Sequence, residues 1–433
     1  MRKFFLGVMC ALFLITSVLS GCTKDNAPSA GNNTSEGDKK VTVKMAVSGS
    51  AQEIDIRKKT GDMYMKQNPN VKIEWVDIGN ERFQKTLTLI SSGSAPDIFY
   101  INEYVFAFAE KGVLEPLDSF IQNDSTFKLD NFYESLLTPL KWEGKLYALP
   151  QEVSPFVVYY NKDMFNKAGV PLPTDDWTRE QFMDAAKKLT NEQEKVYGYR
   201  HHSGGWYDQY LQWMIQDGVQ IYSDDLKDAK FDSPQTLKSL EFLRDMVVTN
   251  KVAANPASIQ AMGKGFDAMF RNQKVAMESA GLWMLPQYDA DPLPFDWDVV
   301  RMPKGSDNQQ TKAGVLNWAI SKDSKVKEQA WDVIKYFVGP EGMKEVATSR
   351  MAMPATKIAE ANDILLESEL APKNMKAFID SASVVNLTDQ MSSKRNELLD
   401  AVGKEHDSML NGKQSPEETQ KKIVEQSKKI LGE

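Results

Sequence analysis

The chain has 433 residues, of which 42% are hydrophobic and 26% charged, and its 52 basic and 60 acidic side chains give a net charge of −8 at pH 7. This length is more than one hydrophobic core usually serves, so we expect two lobes. An acidic chain lacks the basic face that nucleic acids and anionic membrane surfaces attract, which excludes both as main partners.

The first predicted element is a secretory signal peptide over residues 1–21. Two basic residues precede an apolar run at 4–18, which is too short to span a bilayer, since a span takes ~20 residues. The run leads into Leu-Ser-Gly-Cys, which resembles a bacterial lipobox, so we predict that Cys22 carries palmitate-type lipid and becomes the mature N-terminus. The alternative is an ordinary secretory signal with a coincidental cysteine. The other cysteine, Cys10, lies in the removed segment, so no disulfide is expected.

The second predicted element is a tether over residues 22–40. This stretch is rich in Ser, Asn, Gly and Asp and has no apolar periodicity. It therefore cannot bury enough apolar surface to offset the entropy lost on ordering. We expect a flexible linker that holds a lipoprotein at the extracellular face of the bacterial cell membrane.

Strands and helices alternate at the start of the predicted folded part. Strand-like runs at 41–47, 71–78 and 97–101 are separated by helical stretches. This alternation predicts an α/β fold with βαβ units in a largely parallel sheet. Because ligands bind beyond the carboxyl ends of such strands, the polar loop at 48–53 and residues 102–104 should meet at one mouth.

Helices farther along the chain carry start signals. Thr178 and Ser415 each open a capping box, and Ser233 precedes a proline at the first helical position. Trp177 and Phe182 are placed to form a hydrophobic staple around the first of these starts. Further strands are predicted at 157–161, 275–281, 298–302 and 316–321.

The sequence lacks the usual motifs of catalysis and cofactor binding. Its three histidines have no zinc-type spacing, and it has no nucleophile elbow, phosphate loop or dinucleotide fingerprint. We therefore expect no metal and no cofactor. Paired carboxylates of a glycosidase leave no such motif, so a surface-anchored carbohydrate-active enzyme remains the alternative.

Several aromatic side chains follow glycines or polar residues. Tyr104 follows a strand end, Trp206 follows two glycines, Trp283 comes shortly after Gly281, and Trp318 follows an asparagine. A sugar ring has apolar C–H faces and a rim of hydroxyls, so flat aromatic surfaces together with carboxylates and amides suit it. The pattern favours a carbohydrate ligand.

Four segments resemble, in order, the signatures of extracellular solute-binding proteins that serve sugar ABC transporters. They contain the runs Ser-Gly-Ser-Ala-Pro-Asp-Ile, Gly-Lys-Leu-Tyr-Ala-Leu-Pro, Asn-Gln-Lys-Val-Ala-Met and Gly-Val-Leu-Asn-Trp-Ala-Ile. The resemblance is to the maltose-binding-like branch, in its Gram-positive lipoprotein form. The four segments are 87–98, 144–165, 270–283 and 314–342.

This resemblance implies a two-lobed fold of the type II periplasmic-binding-protein kind, with the ligand cleft between the lobes. The N-lobe would hold 41–152 plus 303–346, and the C-lobe 153–302 plus 347–433. Three hinge crossings of the chain would join them, near 150–155, 299–303 and 346–351.

The resemblance also implies the ligand-binding residues. This chain departs from the maltose binder in the loop after the first strand and at Tyr104, where that relative carries a charged residue, so an oligosaccharide is implied without implying maltose. The family positions that touch sugar map onto Gln52, Glu53, Asn102, Glu103, Tyr104, Glu152, Ser154, Trp206, Gly281, Trp283, Asn317, Trp318 and Arg350.

The implied function is that of a non-enzymatic, monomeric receptor. Its lobes would close on an oligosaccharide and present it to ABC permease subunits in the membrane, while a separate ATPase supplies the energy. One alternative is the enzyme noted above, with two of Glu53, Glu103 and Glu152 as acid and base. Another is the same fold binding glycerol phosphate or an amine. A phosphate would need clustered Arg or Lys, whereas the implied segments show mostly acids, amides and aromatics.

Overall fold

The computed structural model describes residues 40–79, 81–201, 206–223, 225–255 and 268–432. The predicted signal peptide, Cys22 and nearly all of the predicted tether lie outside the described residues. Within the described ranges, every helix is too short or too polar to cross a bilayer.

Short strands and helices alternate along the described chain. The strands are β1 Val41–Val47, β2 Val71–Asp77, β3 Ile98–Ile101, β4 Lys141–Trp142, β5 Lys145–Leu146, β6 Leu149–Pro155, β7 Val157–Asn161, β8 Tyr197–His201, β9 Val275–Ala280, β10 Trp297–Arg301, β11 Ala313–Ile320 and β12 Met353–Pro354. The α-helices are α1 Ala51–Gln67, α2 Arg82–Ser91, α3 Val105–Glu110, α4 Asp118–Asn123, α5 Glu134–Leu137, α6 Lys162–Ala168, α7 Arg179–Leu189, α8 Trp206–Gln216, α9 Pro234–Arg244, α10 Ala268–Arg271, α11 Leu285–Ala290, α12 Lys327–Phe337, α13 Pro340–Ser349, α14 Ala359–Leu366, α15 Lys376–Ala382, α16 Arg395–Leu410 and α17 Pro416–Leu431.

The strands form two main sheets. The larger has the order β12-β6-β11-β3-β1-β2 and the smaller the order β10-β7-β9-β8. β1, β2 and β3 are parallel, as predicted, but β11 runs antiparallel to both β3 and β6. In the smaller sheet only β8 and β9 are parallel. The prediction of a largely parallel sheet is therefore wrong beyond β3. The reason is that β6 and β11 border the passages to and from the smaller sheet and are not joined by a βαβ crossover.

The chain passes between the two sheets at short connections. β6 ends at Pro155 and β7 begins at Val157, so the first passage is at Phe156. The return lies between β10 and β11. β12 still pairs with β6 in the larger sheet, whereas α15 packs on both β6 and β10. The predicted lobe boundaries stay a prediction, and this pairing favours a third crossing after Pro354.

Two apolar clusters lie on opposite faces of the smaller sheet. The first core contains buried residues of the larger sheet and continues along one face of β7 through Val157 and Tyr159. The second core takes Val158 and Tyr160 from the same strand and packs them against α7, α8, α9, α16 and α17. Alternate residues of a strand point to opposite faces, so β7 supplies both clusters.

The predicted helix starts are present. The Thr178 hydroxyl accepts a hydrogen bond from the Gln181 amide, and the Thr178 amide donates one to the Gln181 side-chain oxygen. The rings of Trp177 and Phe182 meet edge to face at 5.5 Å. The starts predicted from the serines before α9 and α17 are also confirmed.

The polar loop predicted at 48–53 ends earlier than expected. Ser50 caps α1, because its hydroxyl accepts a hydrogen bond from the Glu53 amide at 3.3 Å and its own amide donates to the Glu53 carboxylate at 2.7 Å. This reciprocal capping box satisfies two amides at the helix start. Gln52 and Glu53 therefore lie in the first helical turn, and the prediction that they lie in a loop is wrong.

Candidate functional site

A cavity of about 290 Å³ opens where β6 and β11 meet the elements that follow the smaller sheet. We call it the cleft. The predicted site residues that line it are Glu53, Asn102, Glu103, Glu152, Ser154 and Trp283. Its other lining residues are Arg57, Arg82, Tyr100, Phe156, Ala313, Gly314, Val315, Leu316, Met351, Ala352, Gln390 and Arg395.

Trp283, which lines the cleft, packs against two glycines. A Cβ atom added at Gly281 would lie 2.1 Å from the Trp283 ring, and one added at Gly314 would lie 3.0 Å from it. The Phe156 ring meets the Trp283 ring edge-on at 5.6 Å. The absence of side chains at both glycines therefore makes room for the indole, and Phe156, at the first passage between the sheets, helps to hold it.

The turn that carries Trp283 is fixed from behind. The Leu282 amide donates to the Ser154 hydroxyl at 2.6 Å, and the Tyr159 hydroxyl donates to the Gly281 carbonyl at 2.7 Å. Ser154 lies in β6 and Tyr159 in β7, on either side of the first passage. The position of the aromatic ring is thus tied to both sheets.

A buried ion pair forms one wall of the cleft. Nη2 of Arg57 donates to both oxygens of Glu152, at 2.9 and 3.1 Å, and Nη1 donates to the Ser48 carbonyl at 3.3 Å. A Glu53 oxygen lies 4.0 Å from the same guanidinium, which stacks 5.2 Å from the Tyr100 ring centre. Burial opposes the charge on Arg57, but the acidic groups around it, Glu152 first among them, together outweigh burial and raise the pKa of Arg57 above its ordinary value. Burial raises the pKa of Glu152, and the Arg57 guanidinium opposes that rise.

A second arginine enters the cleft from α2. Nε of Arg82 donates to the Ser48 hydroxyl at 2.8 Å, and its guanidinium lies 5.5 Å from the Tyr100 ring centre. These two contacts fix the plane of the guanidinium beside the Arg57–Glu152 pair. Arg82 is half-buried.

A third arginine lies on the opposite wall of the cleft. Nη1 of Arg395, in α16, lies 3.7 Å from the Glu103 carboxylate, and its Nε donates to Asp389 at 3.2 Å. The Lys312 ammonium bonds the other Asp389 oxygen. Burial raises the pKa of Asp389 to about 6, although Arg395 acts in the opposite direction. Within the described ranges, no group of three or more His, Cys, Asp or Glu side chains is arranged to hold a metal.

Asn317 and Trp318 lie behind the cleft wall. The Asn317 side chain donates to the Asn102 carbonyl at 2.8 Å and is buried. The Trp318 ring is fully buried in the first core, where its Nε1 donates to Gln151 at 2.7 Å. The structure therefore gives Asn317 a supporting contact with a cleft residue and gives Trp318 a packing role, because its strand face points into the core.

Arg350 is also turned away from the cleft. It donates to both oxygens of Asp289 at 2.7 Å and to the Ala371 carbonyl at 2.6 Å. These contacts tie the end of α13 to α11 and to the segment before α15. Arg350, Asp289 and Ala371 all lie outside the cleft lining. Arg350 therefore holds these elements together and does not face the cleft.

The remaining predicted residues lie near the edge of the cleft or outside the described side chains. Gln52 is exposed on α1. Tyr104 caps α3 and packs against Phe83, with ring centres 5.0 Å apart. Trp206 begins α8, and its side chain lies outside what the structure describes.

None of the three arginines that line the cleft was predicted from the sequence. Arg57 lies four residues after Glu53, which places both on one helix face, and that spacing was a usable signal. Arg82 stands at the start of a helix, with no motif around it. Arg395 lies far from the other cleft residues in sequence, and only the packing of α16 brings it to Glu103.

Comparison with known proteins agrees with this architecture. The family model for bacterial extracellular solute-binding proteins matches residues 49–344. An ABC substrate-binding protein of Listeria monocytogenes, solved in complex with cycloalternan, is 29% identical, with a TM-score of 0.83 over 91% of this chain and 99% of that one. A multiple sugar-binding protein of Streptococcus mutans is 21% identical over 78% of this chain and 80% of its own length. A putative binding protein of Brucella abortus is 26% identical over 67% of this chain and 70% of its own.

The chain belongs to the bacterial extracellular solute-binding proteins. The predicted family and the predicted two-lobed α/β fold are confirmed. The predicted role of an extracellular solute-binding protein is confirmed at the level of that family. The family binds substrates and is not a family of catalysts.

Proposed function

We propose that this protein is a lipid-anchored receptor that captures an oligosaccharide by hinge closure and delivers it to an ABC permease. The ligand would occupy the cleft and stack on Trp283. Its hydroxyls would bond Glu53, Glu103, Glu152 and the arginines beside them. Gln52, Asn102, Tyr104, Ser154, Trp206 and Gly281 complete the proposed site, with Asn317, Trp318 and Arg350 as its support.

The seating of Trp283 carries this proposal. A Cβ atom added at one glycine would lie only 2.1 Å from the Trp283 ring, and at the other only 3.0 Å. Glycine at both positions therefore leaves one face of the cleft to the indole ring. An aromatic face suits the C–H face of a sugar. Around it stand donors, the guanidinium groups, and acceptors, the carboxylates, and a hydroxyl needs both because it donates and accepts.

The charges of the cleft favour a neutral ligand. Its lining contains three arginines, at 57, 82 and 395, and three glutamates, at 53, 103 and 152. The structure therefore brings more cationic groups to the cleft than the implied segments suggested. They are balanced in number by carboxylates, and two of the arginines are directly paired. A phosphate or a cationic amine would upset that balance.

Binding without catalysis fits the same contacts. A glycosidase needs one protonated carboxyl group as acid. Glu152 accepts two hydrogen bonds from Arg57, which oppose the rise in its pKa that burial causes, and Glu53 accepts one from the Ser50 amide. Carboxylates fixed as acceptors suit the recognition of hydroxyls.

Closure would occur at the passages between the sheets. Phe156, beside Trp283, and the connection into β11 are the proposed hinge points, and the lobes would be those predicted from the sequence with the third crossing after Pro354. To convert a population from 1:99 to 99:1 closed, a ligand must prefer the closed form by ~5.5 kcal/mol. A ligand that touches both walls of the cleft supplies such a preference.

Cycloalternan is the first ligand to test. The Listeria protein solved with it is 29% identical to this chain over nearly all of its length. The described cavity, about 290 Å³, lies at the lower end of the ~300–1,000 Å³ typical of small-molecule pockets. An oligosaccharide would therefore place one part inside the cavity and extend the rest along the cleft.

Anchoring is a separate part of the proposal. The lipobox-like sequence before Cys22 supports a lipid on that cysteine, with a monomeric receptor held at the cell surface. Metabolic labelling with an alkyne fatty acid should mark the wild type. A Cys22→Ser variant should be unlabelled and released to the medium. Labelling that persists in the variant would contradict the anchor.

A thermal-shift screen of the unlipidated Cys22→Ser protein tests the ligand class. The panel would hold cycloalternan, linear neutral oligosaccharides, polyols, amines and sugar phosphates. A ligand at 100 times its dissociation constant should stabilise the fold by ~2.7 kcal/mol. We expect a neutral oligosaccharide to raise the melting temperature and to be recovered intact. Stabilisation only by charged solutes, or consumption of the sugar, would overturn the proposal.

A further inference from the structure

One ion pair spans the cleft. Glu103 follows β3 of the larger sheet, beside Tyr104, which packs with the first core. Arg395 opens α16, whose Leu398 and Val402 belong to the second core. Their charged groups lie 3.7 Å apart. The two residues are therefore anchored on opposite sides of the cleft and meet across it.

On the side away from the cleft, Arg395 is held by two buried charged residues, which extend its pair with Glu103 into a chain of ion pairs that we call the relay. Its Nε donates to Asp389 at 3.2 Å, and Asp389 also bonds the Lys312 ammonium. Asp389 and Lys312 are each 1% exposed. Lys312 directly precedes β11, on the connection that returns from the smaller sheet. The four side chains alternate in sign, so the relay is neutral and its position depends on a hinge segment.

The two ends of the ion pair differ in their surroundings. The Arg395 side chain is 6% exposed, whereas the Glu103 side chain is 26% exposed. If the walls separated, Arg395 would keep Asp389, and the Glu103 carboxylate would move into water. The pair is therefore suited to hold the two walls together weakly, as a latch that can open.

We propose that Arg395 is a positioning residue that orients the Glu103 carboxylate for ligand and latches the two walls of the cleft before ligand arrives. This inference rests on the proposed hinge closure. Asp389, which Lys312 holds in turn, keeps the Arg395 guanidinium beside the Glu103 carboxylate. A sugar hydroxyl that bonds Glu103 then meets a carboxylate already turned toward the opposite wall.

Distances between spin labels test the latch without any ligand. Both native cysteines, at positions 10 and 22, would be replaced by serine, and labels attached at Lys85→Cys and Lys404→Cys, which are exposed on α2 and α16. Glu103→Gln and Arg395→Gln should each raise the ratio of open to closed molecules by about 1.5- to 5-fold, the range for a partly exposed ion pair. The double variant should open no more than the larger single effect.

Three controls separate the latch from general disruption. Lys394→Gln removes a cation that pairs with Glu397 at 3.6 Å on the surface, so it should leave the distances unchanged. Arg395→Lys should restore part of the closed population. Added salt should open the wild type toward the distribution of the single variants.

The outcomes distinguish the latch from the proposed function. Unchanged distances in Glu103→Gln overturn the latch, and this variant decides alone if Arg395→Gln does not fold. A wild type whose distances no neutral oligosaccharide changes would contradict the receptor proposal instead. Opening by the single variants, together with closure by sugar, supports both.

Discussion

The Arg57–Glu152 pair at the cleft wall and His406 in the second core show two ways of accommodating buried ionisable groups. At the wall, Arg57 and Glu152 are both buried and pair directly at 2.9 Å, and the pKa of Arg57 lies above its ordinary value. In the second core, His406 is fully buried against the Tyr210 ring, and burial lowers its pKa to about 3. Within the described residues, neither His406 ring nitrogen has a hydrogen-bond partner.

The charged Arg57 at the wall suits binding, whereas the neutral His406 suits packing. A buried ion pair offers little stability over apolar side chains of similar size, so its presence at the wall is better explained by ligand recognition. A neutral imidazole adds volume to a core and carries no charge. Charge is thus kept at the wall, where a ligand would arrive, although the Arg179–Asp217 pair, at 2.7 Å, is also buried beside the second core.

The largest predicted effect comes from breaking the pair at the wall. Arg57→Ala should lower the free energy of unfolding by about 3–5 kcal/mol, because Glu152 would remain buried without its partner. Urea denaturation measures the change. A loss below about 1 kcal/mol would show that the site reorganises freely and would remove the contrast with the second core.

The next effect concerns pH and His406. Below the unfolded-state pKa of about 6.5 the unfolded chain binds a proton that the folded core excludes down to about 3, so this residue makes stability fall as pH falls. As the pH falls through that window, the wild type should lose ~1.4 kcal/mol more unfolding free energy per pH unit than the His406→Leu variant. Unfolding in urea at pH 7.5 and 4.5 gives the comparison. Equal acid sensitivity in both proteins would mean that the imidazole gains a proton without unfolding.

A smaller effect is expected at the seat of Trp283. Gly314→Ala would place a methyl group 3.0 Å from the indole and displace the ring. Affinity for the sugar found in the screen should fall about tenfold, ~1.4 kcal/mol. Calorimetric titration checks this, with an unchanged far-ultraviolet dichroism spectrum as the control for folding. Full affinity would show that the ring position is not needed for binding.

The smallest effect serves as the matched control for Arg57. Lys59 lies on the same helix and pairs with Glu345 at 2.7 Å, but its side chain is 61% exposed. The Lys59→Ala variant should lose less than about 1 kcal/mol of stability, since water screens such pairs. A loss as large as that of Arg57→Ala would indicate that burial is not what distinguishes the wall.

Local chemistry made much of the fold predictable. The capping box at Thr178, with the staple of Trp177 and Phe182, needs only neighbouring residues, and β1 to β3 follow from short-range alternation. The direction of β11 was missed because it depends on how the chain returns from the other sheet.

The candidate site divides along the same line. Glu53, Glu152 and Trp283 were reached through the resemblance to a family, and the structure brings them to one cavity. Arg395 gives no local signal, because its approach to Glu103 is produced by the packing of α16. Trp318 looked like a site residue from its neighbours, yet its strand face points into the first core.

The most direct test of the account is the affinity of the Trp283→Ala variant for the oligosaccharide that stabilises the wild type. Trp142→Ala, which removes a half-buried indole from the β4–β5 hairpin, is the matched control. We predict by calorimetry that the Trp283 variant loses ~2 kcal/mol or more of binding free energy, as aromatic hot spots do, while the control binds like the wild type. Equal affinities in all three proteins would contradict the claim that this cleft binds the sugar.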